Sequence, residues 1–206
     1  MLAVFVISAC NSRKSNEFII KGEIRGDFAG QVYLQKSKEG KFEVLDSAKI
    51  ENGKFTFKGI IEEPDLYFIG IDESRYIGFF NEPSEIQMSF HIDSIMSPQF
   101  SGSVSDKVYR EYLKKQEIQR SEEISLYTAY NEASRTNDTV KMKEIETTID
   151  QADKKQKDDM MMFVKENSSS YVAPFVVMRH AYQFDLTNLV DIIAGFDSKI
   201  KESIYG

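Results

Sequence analysis

The sequence predicts an α+β protein, in which an N-terminal antiparallel β-sandwich or partly open barrel is followed by an α-helical region with a long helical hairpin. Between residues 17 and 102, short segments alternate apolar and polar side chains, which is typical of half-buried strands. No segment there is long enough for a crossover helix, so antiparallel pairing is expected. After residue 102 the apolar period lengthens to about 3.6 residues, which indicates helices. The predicted domains are therefore a signal peptide and tether (1–16), a β domain (17–102) and a helical region (103–206).

The N-terminal segment has features of a bacterial lipoprotein. Residues 2–7 are apolar, too few to cross a bilayer as a helix but sufficient for the apolar part of a signal peptide. Residues 7–10, Ile-Ser-Ala-Cys, resemble the lipobox, which implies that Cys10 is acylated and becomes the new N-terminus. The resemblance further implies a protein that is lipid-anchored in the bacterial cell envelope and faces the periplasm. The alternative is a buried N-terminal strand with a structural cysteine.

The β domain is expected to be organised around a hairpin at Asn52-Gly53. An Asn-Gly pair tolerates the two positive φ angles that a type I′ turn requires. This register places Ile50 opposite Phe55 and Ala48 opposite Phe57, with the apolar side chains on one face. The apolar residues of that face are Phe42, Val44, Ala48, Ile50, Phe55 and Phe57. Further strands are predicted at residues 18–24, 31–35, 66–71, 76–80, 86–92 and 99–101.

The helical region is expected to begin at a capping box formed by residues 103–106, Ser-Val-Ser-Asp. Residues 104–134 contain neither Gly nor Pro and predict one long helix, and residues 139–165 predict a second. The two charged helices and the short break between them predict an antiparallel hairpin with a narrow buried seam. Shorter helices are predicted at residues 171–184, with Pro174 in the first turn, and at residues 186–194, between Asp185 and Gly195.

Composition and motifs predict that the chain is not an enzyme. The formal net charge of -7 argues against binding nucleic acid. Cys10 is the only cysteine, so an internal disulfide, a Cys-x-x-Cys pair and a cysteine-based zinc site are excluded. The two histidines, His91 and His180, fall in different halves without metal-ligand spacing and are expected to be structural. No nucleotide-binding glycine loop or nucleophile elbow occurs. We therefore expect no catalytic residue, cofactor or metal.

Aromatic residues in the β half suggest a binding face. Tyr33, Tyr67 and Tyr76 alternate with apolar residues, so they are candidates for the face opposite the core. Exposed aromatic rings on a sheet stack on sugars or receive a protein partner. The alternative is that these rings are core residues between two sheets.

Several motifs of the β half resemble a known family, the all-β "domain of unknown function 4369". They are Asp46-Ser47-Ala48, Asn52-Gly53-Lys54-Phe55, Phe57-Lys58-Gly59, Pro64, Leu66-Tyr67 and Phe79-Phe80-Asn81-Glu82, together with residues 18–22. Such domains are common in lipoproteins of the Bacteroidota, and a thioredoxin-like domain usually follows them. Residues 163–174 and 203–206 resemble the helical linker that leads into that domain. Since the chain has no Cys-x-x-Cys, the resemblance carries over no catalytic residue.

Three functional hypotheses follow. The first is a non-catalytic, lipid-anchored envelope protein whose β domain binds or docks a protein or small-molecule partner. The second is the N-terminal accessory fragment of a periplasmic thioredoxin-like thiol-disulfide oxidoreductase. The third is a glycan-binding module. In all three, Cys10 provides the contact with the membrane.

Overall fold

The computed structural model describes residues 15–205 and shows an α+β fold, as predicted. The strands are β1 (Glu17–Arg25), β2 (Gln31–Lys38), β3 (Lys41–Lys49), β4 (Lys54–Ile60), β5 (Asp65–Gly70), β6 (Tyr76–Asn81), β7 (Glu85–His91) and β8 (Ser94–Ser101). The helices are α1 (Val104–Arg135), α2 (Thr139–Glu166), α3 (Val172–His180), α4 (Leu186–Ala194) and α5 (Ser198–Lys201). A single 3-10 turn, Ala181–Gln183, follows α3. Cys10 lies outside the described residues.

The strands form two four-stranded sheets that pack face to face. Sheet A has the order β4-β1-β7-β8 and sheet B the order β3-β2-β5-β6. The sheets are not closed into a barrel, so of the two predicted forms the sandwich is confirmed. Inward-facing side chains from both sheets fill the space between them, and Ile20, Phe57, Ile69, Phe79 and Phe90 are almost completely buried.

One strand pair departs from the prediction of antiparallel pairing. In sheet A, β1 and β7 run parallel, with Ile20 opposite Ile86 and Gly22 opposite Met88. A parallel pair needs a long crossover, and the sequence shows no helix in this half to provide one. Here strands β2 to β6 provide it, because the chain passes through sheet B as β2 and β3, returns to sheet A as β4, and passes through sheet B again before it forms β7.

The predicted hairpin is correct at its turn and wrong in its strand pairing. Asn52 and Gly53 have φ angles of 53° and 73°, and the backbone N–H of Glu51 and of Lys54 each donate to the other residue's carbonyl oxygen. The two strands then separate: β3 pairs with β2 in sheet B and β4 pairs with β1 in sheet A. The turn therefore carries the chain from one sheet to the other.

This separation changes every cross-strand pair that the hairpin predicted. Ala48 lies opposite Val32 instead of Phe57, and Phe57 lies opposite Ile20. Strands β3 and β4 contribute their apolar residues from opposite layers, so burial does not require them to be neighbours in one sheet. Of the residues assigned to the core face, Phe42 and Val44 are exposed, because a β-bulge in the β2–β3 pair, with Leu45 as the extra residue, turns the residues before it to the outer face of sheet B.

The helical region builds a second core beside sheet B. Helices α1 and α2 form the predicted antiparallel hairpin, in which Asp138 caps α2 by accepting a hydrogen bond from the Lys141 N–H at 3.0 Å. At a rise of about 1.5 Å per residue, α1 is about 48 Å long. Strand β6 joins the two cores, because Phe79 points between the sheets while its neighbour Phe80 points into the helices.

Candidate functional site

The three tyrosines predicted as a binding face do not all share one face. Tyr33 and Tyr76 lie directly opposite Gly70 from its two sides, so both project from the outer face of sheet B. Tyr67 projects inward and packs against Phe18 and Phe79, at 6.4 and 6.5 Å between ring centroids. The expectation of an exposed Tyr67 is therefore wrong. Strand β5 is apolar on both faces, so its alternation could not indicate which side points outward.

Two phenylalanines that the sequence did not single out complete the exposed face. The Phe42 ring lies 4.9 Å from the Phe68 ring and 4.7 Å from the Tyr76 ring, measured between centroids. Val44 lies in one row with Phe68, since both are opposite Gln35. We call Tyr33, Phe42, Val44, Phe68 and Tyr76 the aromatic surface. It is accessible to a partner, because Phe42 is 40%, Tyr76 47% and Val44 53% exposed.

The rings of the aromatic surface pack against one another at steep angles. The planes of Phe42 and Phe68 meet at 67°, those of Phe42 and Tyr76 at 58°, and those of Phe68 and Tyr76 at 81°. Edge-to-face contacts of this kind are favourable for aromatic pairs and hold each ring in place. The result is a ridged apolar surface rather than a flat platform of coplanar rings.

A polar group lies within the aromatic surface. A Cβ atom built on Gly70 would be 2.6 Å from the Gln35 Oε1 atom, so the Gln35 amide lies over the glycine that separates Tyr33 from Tyr76. Glycine at position 70 gives the amide its space. The amide can donate and accept hydrogen bonds between two tyrosines. The surface therefore combines apolar contact with one central hydrogen-bonding group.

The first turn of α1 is bonded to the outer edge of sheet B. The Ser103 hydroxyl accepts a hydrogen bond from the Asp106 N–H at 2.8 Å, as the predicted capping box requires, and donates to the Phe80 carbonyl oxygen at 3.1 Å. The Asp106 carboxylate accepts from the Phe80 N–H at 3.0 Å and pairs with Arg110, which also donates to the Gly78 carbonyl oxygen.

These bonds satisfy backbone groups at the outer edge of β6. Unpaired edge groups are a template for pairing with other chains, and side chains of α1 occupy them here. The Glu82 carboxylate adds a second connection, since it accepts from the Val104 N–H and, at 2.6 Å, from the Ser105 hydroxyl. The β domain and the helical region are thus joined by polar contacts, of which those of Phe80 with Ser103 and Asp106 are buried. We call this set of contacts the junction.

The C-terminal residues are fastened to the β domain by another polar cluster. The Asp65 carboxylate accepts hydrogen bonds from the Tyr205 hydroxyl and from Lys36. Burial and the Asp65 carboxylate both raise the pKa of Tyr205. Burial alone would lower the pKa of Lys36, but the hydrogen bond and charge of Asp65 outweigh it and raise that pKa. The raised pKa values of Lys36 and Tyr205 keep the lysine charged and the tyrosine hydroxyl neutral, which suits a structural contact.

The histidines occupy the places that the sequence suggested. His91 is exposed beside Asp93, and His180 is buried in the second core with its Nε2 atom 2.7 Å from the Tyr112 hydroxyl. Burial and, to a smaller degree, the charge of Arg179 lower the pKa of His180. Within residues 15–205, no three His, Cys, Asp or Glu side chains are grouped to hold a metal ion. No helix of that part of the chain is long and apolar enough to cross a membrane.

The fold and its surface define a β-sandwich domain with a helical region packed against its second sheet. Residues 18–109 match the family model described as "Domain of unknown function (DUF4369)". This match confirms the resemblance of the β half to that family. It spans all eight strands and continues into α1 past Ser103 and Asp106 of the junction. A search of curated proteins finds no match to the chain.

Proposed function

We propose that the protein is a non-catalytic docking protein of the bacterial cell envelope, anchored by an acyl chain on Cys10, and that its aromatic surface binds a protein partner. The observation that carries the proposal is the contiguous exposure of Phe42, Val44 and Tyr76 beside Phe68. Single exposed apolar residues are ordinary, whereas an exposed group of touching aromatic rings is typical of an interaction site.

The packing of the rings favours a protein partner over a glycan. Stacking on a sugar needs the flat face of a ring to be free, but the Phe42 ring packs at steep angles against the rings of Phe68 and Tyr76. A ridged apolar surface with one amide at its centre suits the side chains of a protein. Aromatic residues are enriched at the cores of such interfaces.

The titratable groups with strongly shifted pKa values support a non-catalytic role. The pKa of Asp72 is lowered by hydrogen bonds from Arg75 and Ser74 in the turn between β5 and β6. The pKa of Tyr205 is raised by burial and by Asp65. Shifted pKa values often mark catalytic sites, but each of these two is accounted for by a contact that holds the fold together.

The location rests on Cys10 and on the charge of the chain. A formal net charge of -7 gives no basic footprint for anionic lipids, so we assign membrane attachment to the acyl anchor. Changing Cys10 to Ala is expected to move the protein from the membrane fraction to the soluble fraction of fractionated cells, with the fold intact by circular dichroism. Recovery of the variant in the membrane fraction at the wild-type level would contradict the assignment.

The docking surface can be tested by crosslinking in cells. A photo-reactive phenylalanine analogue is placed at position 42 or 76, and at position 56 as the control, because Thr56 is exposed on the other sheet. We expect a discrete protein adduct from positions 42 and 76 and none from position 56. Adducts of equal yield from all three positions, or none from any, would refute the proposed surface.

A further inference from the structure

Helix α4 is apolar over more of its surface than the second core covers. Leu189 and Ile192 pack into that core. Leu186, Val190 and Ile193 point elsewhere and are 78%, 57% and 50% exposed. At about 100° per residue, these three side chains lie on one side of the helix, about 100° round from the side that faces the core. We call Leu186, Val190 and Ile193 the α4 stripe.

The α4 stripe has the pattern of a helix–helix interface. Its members are separated by four and three residues, so their side chains adjoin one another along about 10 Å of the helix. The only charged residue within α4, Asp191, lies about 130° round the helix from the centre of the stripe. An apolar side at this spacing, clear of charge, is what a helix presents to another helix.

The two ends of the stripe carry opposite charges. At the N-terminal end, the exposed Asp185 carboxylate accepts hydrogen bonds from the Asn188 backbone N–H at 2.8 Å and from the Asn188 side-chain amide at 2.6 Å. At the C-terminal end, the exposed Lys201 Nζ atom donates to the Ala194 carbonyl oxygen at 2.7 Å. Each charge lies at the end of α4 where the helix dipole favours it. The stripe therefore has a negative end and a positive end.

We propose that the α4 stripe binds the α4 stripe of a second copy of this chain, with the two helices antiparallel. The interface of a twofold dimer is self-complementary, so each contact occurs twice about the axis. With the axis beside Val190, Leu186 of each copy packs against Ile193 of the other. The spacing of the stripe thus closes on itself, and every apolar side chain of the stripe has a counterpart.

The charges at the two ends select this arrangement. Asp185 directly precedes the stripe and Ala194 directly follows it, so the antiparallel register brings Asp185 of each copy beside Ala194 of the other. Lys201 lies at that carbonyl oxygen, and two Asp185–Lys201 ion pairs therefore form across the interface. A parallel pairing would bring like charges together at both ends. The stripe lies in the helical region, so the proposal does not depend on the function proposed for the aromatic surface.

The oligomeric state of the chain tests the proposal. Sedimentation equilibrium is measured on the Cys10→Ala chain as the parent, in which neither acylation nor a disulfide can link two copies. Val190→Glu places a charge at the centre of the stripe. Ile124→Glu is the matched control, because Ile124 is also 57% exposed on a helix. Glutamate is a better helix former than valine or isoleucine, so both variants should keep their helix content by circular dichroism.

We expect the parent chain to form a weak, reversible dimer, since a stripe of three residues buries less surface than a standard interface. Val190→Glu should raise the dissociation constant at least about tenfold, and Ile124→Glu less than about threefold. Lys201→Glu should raise it at least about fivefold more than Lys114→Glu, which makes the same change in charge at an exposed position of α1.

Three results would each count against the proposal. A parent chain that stays monomeric up to about 1 mM would leave the stripe to a different protein. A dimer that Val190→Glu weakens no more than Ile124→Glu does would be formed by another surface. Equal effects of Lys201→Glu and Lys114→Glu would exclude the antiparallel register.

Discussion

Replacement of Asp106 by Ala should detach the helical region from the β domain at a measurable free-energy cost. Asp106 is 1% exposed, and its carboxylate accepts from the Phe80 N–H while pairing with both Nε and Nη2 of Arg110. Removing one partner of a buried ion pair costs about 3–5 kcal/mol, since the other charge stays buried and unpaired. The Arg110 side chain is 27% exposed and can be partly hydrated, so we expect the lower end, about 3 kcal/mol.

The matched control is Asp138→Ala. Asp138 is the N-cap residue of α2, and its carboxylate accepts a hydrogen bond from the Lys141 N–H. It is exposed, and its hydrogen bond stays within its own helix. Loss of an N-cap alone costs about 1 kcal/mol. Urea unfolding followed by far-ultraviolet circular dichroism gives both free energies. An Asp106→Ala cost no larger than the Asp138→Ala cost would refute the role assigned to the junction.

Three further predictions concern other contacts of the fold. Gly102 and Gly40 both have positive φ angles, but a Cβ atom at position 102 would be 1.9 Å from a backbone carbonyl oxygen, whereas the space at position 40 is open. Gly102→Ala should therefore lower the free energy of unfolding in urea by at least about 2 kcal/mol more than Gly40→Ala does. The pKa of buried His180 is lowered in the folded state, so below about pH 6.5 the unfolded chain binds more protons than the folded chain, and the stability of the protein should fall as the pH falls. His180→Gln should therefore flatten the dependence of the melting temperature on pH. An unchanged slope would contradict this. Tyr205→Phe removes the hydroxyl that donates to Asp65 and should cost about 1–2 kcal/mol by thermal unfolding, and a neutral effect would show that the C-terminal contact is dispensable.

The central turn shows how far local sequence determines the sandwich. Asn52 and Gly53 specify a turn with two positive φ angles, and both angles are observed. The turn does not specify which strands pair, because β3 and β4 can bury apolar residues equally well from opposite sheets. Strand β3 pairs with β2, which directly precedes it across the two-residue turn Glu39-Gly40, whereas β4 pairs with the distant β1. The alternation of apolar residues does not choose between these partners.

The aromatic surface could be predicted only in part for a related reason. The outward direction of Tyr33 could be predicted because Val32 and Leu34 form a clearly apolar opposite face of its strand. Phe42 alternates with Val44 in a pattern that indicates a core face, but the β-bulge at Leu45 turns both residues to the outer face of sheet B. Phe68 joins Phe42 from a strand 26 residues further along the chain. Their contact is a consequence of sheet order, which the sequence pattern does not contain.

The hydrogen bonds of the junction make the first turn of α1 part of the β domain, although the apolar repeat changes from that of strands to that of helices after residue 102. Strand β6 is an edge strand. The N–H of its Phe80 donates a hydrogen bond to the Asp106 carboxylate, and the carbonyl oxygen of Phe80 accepts one from the Ser103 hydroxyl. The capping-box pattern indicated that the Asp106 side chain would bond back to its own helix, and a pattern of four residues cannot show a partner 26 positions away. A domain cut at residue 102 would lose the groups that satisfy this edge. The family match that continues to residue 109 keeps Ser103 and Asp106 within the same unit, as the hydrogen bonds require.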